Sequence, residues 1–303
     1  MKTTRQLGVS FYDNRIQLAE VEQAKHPTIT LLAEQSSSLD FAGEGVSLSA
    51  DHPKADALVT ELSTLLQQAG ATAQLISFAL PTSPLFIHTF PVDPKLDDDE
   101  LKEYLQWELQ QYFPDAGPKD FITDAHVIPS KEKDARRTFM VGVRRGIIAF
   151  LQKVTAGLKL KLQIVDIDHF SSEKTFTANY PEFKKDTAVL FGVGKSGIDA
   201  SVVKNHEMVD YRSYPNTAGL GVTIKQYLTH IKQQDDVQKV AGLYLHGSQV
   251  PSDALSALSS ETGVEIISLD AFRHLTAAET VDKALSAESH RFAAAIGLAL
   301  RTS

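Results

Sequence analysis

Cysteine is absent from the 303-residue chain. Disulfides, thiolate metal sites and cysteine nucleophiles are therefore excluded together, and the composition fits a reducing compartment. Long hydrophobic runs are missing too: no stretch reaches the roughly 18–20 apolar residues that cross a bilayer. The opening MKTTRQLGVSFYDNR starts basic but meets Asp13 and Asn14 before an apolar core can form, which is not the order of a signal peptide. No block of Lys and Arg occurs, and 30 basic against 38 acidic residues leave a formal charge of −8 spread along the chain. A nucleic-acid groove or an anionic membrane surface is excluded as the main target on that ground. Ten histidines are scattered without metal-ligand spacing, so no metal site is expected. What remains is ordinary globular material, 43% hydrophobic and 22% charged, enough for about two domains at roughly 150 residues each.

Alternating apolar residues predict strands at 6–9 and 16–21, joined by a turn at Tyr12-Asp13-Asn14, and a third strand at 28–32. Residues 36–51, rich in Ser and Gly, read as loop. Leu58, Leu62, Leu65 and Leu66 recur at helical spacing within 54–69, Gly70 stops that helix, and 75–80 is a buried strand ending at Pro81. The next stretch has another texture. A strand at 85–90 precedes the acidic helix start Asp97-Asp98-Asp99-Glu100, which suits the helix dipole. In the helix that follows, Leu101, Leu105, Leu109 and Tyr112 fall on one face, and Pro114 ends it. Trp107 lies off that stripe and reads either as a core anchor between subdomains or as a partner contact. Strands at 120–129 and 138–143 flank a charged turn at 131–137. A helix at 147–155 stopped by Gly157 and a strand at 162–167 complete a β-α-β-β-α-β insertion.

The second half repeats the opening. Three strands at 188–193, 198–203 and 208–212 precede a helix at 220–231 and a strand at 240–245. A helix at 252–260, a strand at 264–268 and a closing helix at 289–301 follow. The reading is α/β: a two-domain fold with a first module at 1–82, an inserted α+β subdomain at 83–165 and a second module at 166–303.

Particular residues carry a family resemblance. Gly8-Val9-Ser10-Phe11-Tyr12-Asp13-Asn14-Arg15-Ile16-Gln17-Leu18-Ala19-Glu20 occupies a strand-turn-strand of the form G-[IV]-D-[IV]-G-S-S-x-[IV]-K-L-V-E. Glu100-Leu101, Leu105, Trp107-Glu108 and Gln111-Tyr112-Phe113-Pro114 match an acidic helix reading E-L-x-x-x-I-x-W-E-x-x-Q-Y-[IF]-P. The tail Ala295-Ile296-Gly297-Leu298-Ala299-Leu300-Arg301 is similar to A-x-G-L-A-L-R. With these motifs the chain resembles the actin-like (ribonuclease H-like) ATPase superfold, and within it the type IV pilus assembly protein PilM, over nearly its whole length.

The resemblance implies a nucleotide site between the halves, where two hairpin turns bring backbone N–H groups to the phosphates and acidic residues help hold hydrated Mg²⁺. It places those acids at Ser10 and Gly192, neither of them acidic, and the first turn's glycine at Tyr12. The second turn keeps Gly194, Lys195 and Gly197 without the eight-residue Walker spacing. The adenosine-side triple glycine is reduced to Gly247-Ser248-Gln249. A degenerate cofactor site at Ser10, Asn14, Gly192, Gly194, Lys195, Gly197 and Gly247 is expected to be weak or empty, with no catalytic residue and no resident cofactor. Asp13 and Asp199 read as turn residues or as displaced metal ligands. Asp166 and Asp168, two apart, read as an acid/base pair on one strand face or as the end of a strand at a domain hinge.

The function so implied is a non-catalytic pseudo-ATPase scaffold of a pilus or secretion machine. It would be cytoplasmic and peripheral at the inner membrane through a partner, with self-association left open. The partner is the short cytoplasmic segment of a single-span, PilN-like membrane protein, held in a groove beside the insertion. Tyr104, Trp107 and Tyr112 on the acidic helix are its expected contacts, since aromatic anchors dominate peptide affinity. The competing reading is an active actin-like ATPase or kinase using ATP and Mg²⁺. A division-type membrane anchor is disfavoured, because the closing helix carries basic residues only at its ends.

Overall fold

Leu7 through Tyr12 are all buried, because the strand that holds them lies inside a sheet covered on both faces. In the computed structural model, which describes every residue except 1–3, 94, 116, 129–135, 196, 234–238 and 302–303, the chain opens with β1 (Thr4–Tyr12), β2 (Arg15–Gln23) and β3 (Thr28–Ser36). Next come α1 (Phe41–Glu44), α2 (Ala55–Ala69) and β4 (Leu75–Leu80). The middle holds β5 (Phe86–Val92), α3 (Asp98–Tyr112), β6 (Phe121–Ile128), β7 (Arg136–Arg144), α4 (Arg145–Leu158) and β8 (Lys161–Ile167). The second half runs α5 (Asp168–Asn179), β9 (Thr187–Val193), β10 (Gly197–Lys204), β11 (Glu207–Pro215), α6 (Leu220–Ile231), β12 (Gly242–His246) and α7 (Leu255–Thr262). It closes with β13 (Ile266–Ser268), β14 (Thr276–Ala277), α8 (Lys283–Ala287) and α9 (Ala293–Ala299).

The expected repeat is present as topology. One sheet has the order β14-β3-β2-β1-β4-β8 and the other β11-β10-β9-β12-β13. In each, an antiparallel three-strand meander is joined by a parallel strand reached through a helix, β4 beside β1 and β12 beside β9. Leu58, Leu62 and Leu65 of α2 are buried against the first sheet, as their spacing predicts.

Several sequence expectations are corrected. The stretch 36–51 contains α1, capped by the Asp40 side chain. Gly157 does not stop the helix there; α4 runs on to Leu158 and is ended by Lys159 in the left-handed region. Gly157 instead lets α4 approach α2, since a Cβ would sit 2.8 Å from Val59 Cγ2. The six-element insertion is smaller than expected. β8 joins the first sheet beside β4, and Ile147, Phe150, Leu151 and Val154 of α4 belong to the first module's core. What projects is the three-stranded sheet β5-β7-β6 with α3 packed on one face through Leu105 and Leu109. Most of the charged turn expected at 131–137 lies outside the described residues.

α5 is absent from the sequence reading. It packs on α9 so closely that a Cβ at Gly297 would lie 1.7 Å from the Ser171 carbonyl oxygen, which explains the glycine in the A-x-G-L-A-L-R tail. In this crossing the Thr175 hydroxyl donates to the Ala293 carbonyl at 2.6 Å, and α9 also lies on the first sheet, where a Cβ at Gly8 would meet the Ala295 carbonyl oxygen at 2.0 Å.

Candidate functional sites: an interdomain cleft and a groove

The hairpin turns of the two meanders face each other across a cleft of about 370 Å³. From the first half come Tyr12, Asp13 and Thr82; from the second come Gly192, Gly194, Lys195, Gly197, Asp199 and His246, with Asp168 and His169 of α5 between them. Gly194 N–H donates to the Gly197 carbonyl at 2.9 Å, and Asn216 Nδ2 to the Gly194 carbonyl at 2.8 Å, so this turn is closed on itself. Lys195 is exposed at the rim; Ser196 lies outside the described residues.

The remaining expected positions are not on the cleft wall. Ser10 is fully buried in β1 with its hydroxyl 3.5 Å from Gln17 Oε1. Asn14 is exposed in the β1–β2 turn, its carbonyl accepting from Ser37 N–H. Gly247 follows β12 and donates its N–H to the His290 carbonyl at 3.0 Å.

The cleft's polar side chains are turned on one another. Asp13, a turn residue in the left-handed region, accepts from Ser248 Oγ at 3.2 Å and Gln249 Nε2 at 3.3 Å, tying the first turn to the other half. Asp199 is a strand residue, not a turn residue, and accepts from Tyr211 Oη at 2.6 Å and Thr82 Oγ1 at 3.2 Å. Tyr12 is buried against Ala79, Ala294 and Leu298. Burial, reinforced by the Asp168 charge, pushes its phenol well above the usual range. Burial, then the neighbouring Asp199, likewise raises Asp168, and burial raises Asp199.

Gly192, where an acid is expected by resemblance, has its Cβ space taken: a Cβ there would lie 2.8 Å from His246 Cε1 and 2.9 Å from His169 Nδ1. These two buried histidines lie tilted at 37° with ring centroids 5.0 Å apart and share a 3.1 Å hydrogen bond between His246 Nε2 and His169 Nδ1. Asp166 and Asp168 do not share a strand face. Asp166 ends β8, paired with Arg301 at 2.7 Å and accepting from Ser171 Oγ at 2.9 Å, while Asp168 begins α5 in the cleft. Among the described residues no group of three or more His, Asp or Glu is placed to hold a metal ion. At the two positions where the resemblance expects acids, Ser10 and Gly192, none stands, and the space beside Gly192 is filled by imidazoles, while Asp13, Asp168 and Asp199 line the cleft elsewhere.

A second concavity, a groove of about 550 Å³, lies between the projecting sheet and the two halves. Ile122, Val141 and Val143 of β6 and β7, Ile148 of α4, Phe170 of α5 and Met208 of β11 give it apolar walls, with Asp166, Glu173 and Arg301 in its lining. β6 and β8, each the outermost strand of its sheet, flank it. The projecting sheet also touches the second half, through Arg137 to Asp210 at 3.1 Å and the Phe139 and Tyr211 rings at 5.3 Å.

Tyr104, Trp107 and Tyr112 lie on α3, across the three-stranded sheet from this groove. Period-two alternation puts Phe121 and Met140 toward α3 and Phe139 and Val141 toward the groove. Trp107 is 53% exposed and Tyr112 48%, so neither is a core anchor, and Tyr112 does not belong to the apolar stripe. Tyr104 is half-buried between the Phe90 and Trp107 rings, each 5.6 Å away, and Tyr112 Oη meets His88 Nε2 at 3.1 Å. The walls of this concavity come from β6 and β7 and not from α3.

The sequence model of the type IV pilus assembly protein PilM matches residues 8–223, well over half the chain. The chain belongs to the PilM family. A solved structure of a PilM–PilN type IV pilus biogenesis complex superposes with a TM-score of 0.77 at 18% identity, covering 98% of this chain and 98% of that one. The ethanolamine utilization protein EutJ from Carboxydothermus hydrogenoformans superposes with a TM-score of 0.53 at 12% identity, covering 99% of this chain and 90% of its own. No curated protein sequence matches. At such identities these structures establish the fold, which is that of the actin-like ATPases. Among the described residues no helix of this PilM-family chain is long and apolar enough to cross a membrane.

Proposed function

We propose that this chain is a non-catalytic scaffold of a type IV pilus or related secretion machine, working in the cytoplasm. On this reading the groove between the projecting sheet and the two halves receives the short cytoplasmic segment of a PilN-like inner-membrane protein. The observation that carries the reading is the contrast between the two concavities: the groove presents apolar side chains and two strand edges, whereas the cleft's polar groups are engaged with one another. An extended segment suits such a groove, because a strand edge supplies main-chain hydrogen bonds and the alternating walls take side chains. The family, and the PilN partner of the similar solved complex, support the same choice.

The cleft is proposed to hydrolyse no ATP. Calorimetry with the cytoplasmic peptide of a neighbouring single-span membrane protein tests the groove, with a micromolar dissociation constant expected, about −8 kcal/mol. A Mg²⁺-dependent ATP hydrolysis rate that disappears in Gly194→Val would overturn the non-catalytic part and favour the ATPase reading.

A further inference from the structure

The cleft is lined by Asp168 and His169 of α5 and the groove by Phe170 and Glu173 of the same helix, and a chain of polar groups, part-buried at Glu173 and buried beyond it, runs from one to the other. Glu173 is in the lining of the groove. Its Oε1 accepts from Ser201 Oγ at 2.6 Å. Ser201 Oγ is 2.9 Å from His169 Nε2, and His169 Nδ1 is 3.1 Å from His246 Nε2. His169 and His246 both line the cleft. The chain ends at His246 Nδ1, which is buried and meets no hydrogen-bonding partner among the described residues.

We propose that Glu173, Ser201, His169 and His246 form a hydrogen-bond relay in which the charge of Glu173 in the groove sets whether the buried His246 Nδ1, on a ring beside the cleft, is an acceptor or a donor. The proton count follows from the donors available. With Glu173 ionised, Ser201 donates to it and accepts from His169 Nε2–H. His169 Nδ1 then accepts from His246 Nε2–H, and His246 Nδ1 is left a bare acceptor. When Glu173 takes one proton it donates to Ser201, and each link reverses. Ser201 donates to His169 Nε2, His169 Nδ1–H donates to His246 Nε2, and His246 carries its proton on Nδ1. One proton has been added, and both rings remain neutral throughout.

The surroundings suit this. Burial lowers His169 to about 3 and His246 well below the usual imidazole range, His169 lowering the latter further, so the rings change tautomer instead of charge. Burial raises Glu173 to about 7, against the lowering effects of Ser201 and Arg301, and Asp166 raises it further. His206 and Glu207 share the groove with Glu173, and Tyr227 feels its charge. Asp168, Tyr211 and His290 are the titratable groups around the histidines. A cationic side chain in the groove would hold Glu173 ionised; that clause rests on the peptide reading above, while the relay does not.

The test uses the full chain with ¹⁵N-labelled histidine, the two rings assigned by loss of signal in His169→Gln and His246→Gln. Long-range ¹⁵N–¹H correlations from about pH 5.5 to about pH 8.5 should show both rings passing from Nδ1–H to Nε2–H with a midpoint near 7. Ser201→Ala should abolish the passage, and Glu173→Gln should remove its pH dependence. Rings that keep one tautomer across the range, or that still interconvert in Ser201→Ala, overturn the relay. A second arm adds an extended apolar peptide carrying one lysine at about pH 6.5, which should return both rings to Nε2–H. Peptide binding without that return overturns the coupling. Absence of binding, in a protein whose rings follow pH, removes the groove reading and leaves the relay standing.

Discussion

The two concavities on the seam of the molecule are built from opposite materials. The cleft is lined by polar groups bonded to each other: Asp13 with Ser248 and Gln249, Asp199 with Tyr211 and Thr82, and His246 through Nε2 with His169. The groove is walled by Ile122, Val141, Val143 and Met208 and flanked by the strand edges β6 and β8. Buried polar groups already paired with one another offer a charged ligand little, because binding must first break those bonds. Apolar walls and strand edges gain from any segment that covers them. On the proposed reading, the chain does without nucleotide chemistry and still presents a binding surface, since most residues lining the two concavities differ.

The largest expected effect comes from trying to rebuild the cleft. Gly192→Asp introduces the acid that the resemblance implies there, but its Cβ would press on both imidazoles within 3 Å. The variant should lose about 2–4 kcal/mol of stability through overpacking and an unpaired buried charge. Chemical denaturation measures the loss, and a stable Gly192→Asp protein that binds ATP·Mg²⁺ would erase the contrast between the two sites.

On the groove side, Ile122→Glu replaces a 37% exposed wall residue and should leave folding intact. Peptide affinity should fall at least about tenfold, roughly 1.4 kcal/mol, by calorimetry. Unchanged affinity would move the contact away from β6.

The relay carboxylate gives a comparison in pH. Glu173 is raised from 4.5 to about 7 in the folded state, so the native protein binds the extra proton between those values. Stability from this group is greatest below about 4.5, falls as pH rises toward 7, and stays low above it. Glu173→Gln should therefore gain on wild type on passing from about pH 5 to about pH 8, by an amount on the order of 1–2 kcal/mol once partial exposure is allowed for. Parallel denaturation curves at the two pH values would show that Glu173 keeps an ordinary carboxylate range.

The smallest effect is expected at α3. Trp107→Ala removes an exposed ring and should change stability by less than about 0.5 kcal/mol, with groove affinity unaltered. A large loss of affinity in this variant would restore α3 as a contact surface.

How much of this was legible in the sequence depended on the range of the interactions. The two meanders were readable because alternation and turn residues are local signals, and α2 and α3 because leucine spacing and the acidic start at Asp97 to Glu100 are local too. α5 was not, because the face it buries carries Ser171, Ser172, Thr175 and Asn179, a composition that reads as loop. Thr175 and Asn179 are satisfied by distant backbone, at Ala293 and at His274 and Leu275, while Ser171 and Ser172 donate to Asp166 and Asp168 close by. Trp107 is not a core anchor and Tyr112 is not on the buried stripe, since an aromatic on a helix reads equally as core or surface until the packed face is known. The missing acids at Ser10 and Gly192 were visible, but the histidines beside Gly192 were not: His169 and His246 are 77 positions apart in the chain and meet only in the fold. The groove was hidden for the same reason, its walls coming from β6, β7, β8, α4, α5, β11 and the tail.

Whether binding resides in the groove and not in the cleft can be read from hydrogen exchange of the full chain with and without the partner's cytoplasmic peptide. The predicted result is slowed exchange in β6, in β8 and at the β10–β11 turn around His206, with exchange at Tyr12–Asp13 and Gly192–Gly194 unchanged. Protection confined to those two cleft turns, by the peptide or by ATP·Mg²⁺, would contradict it.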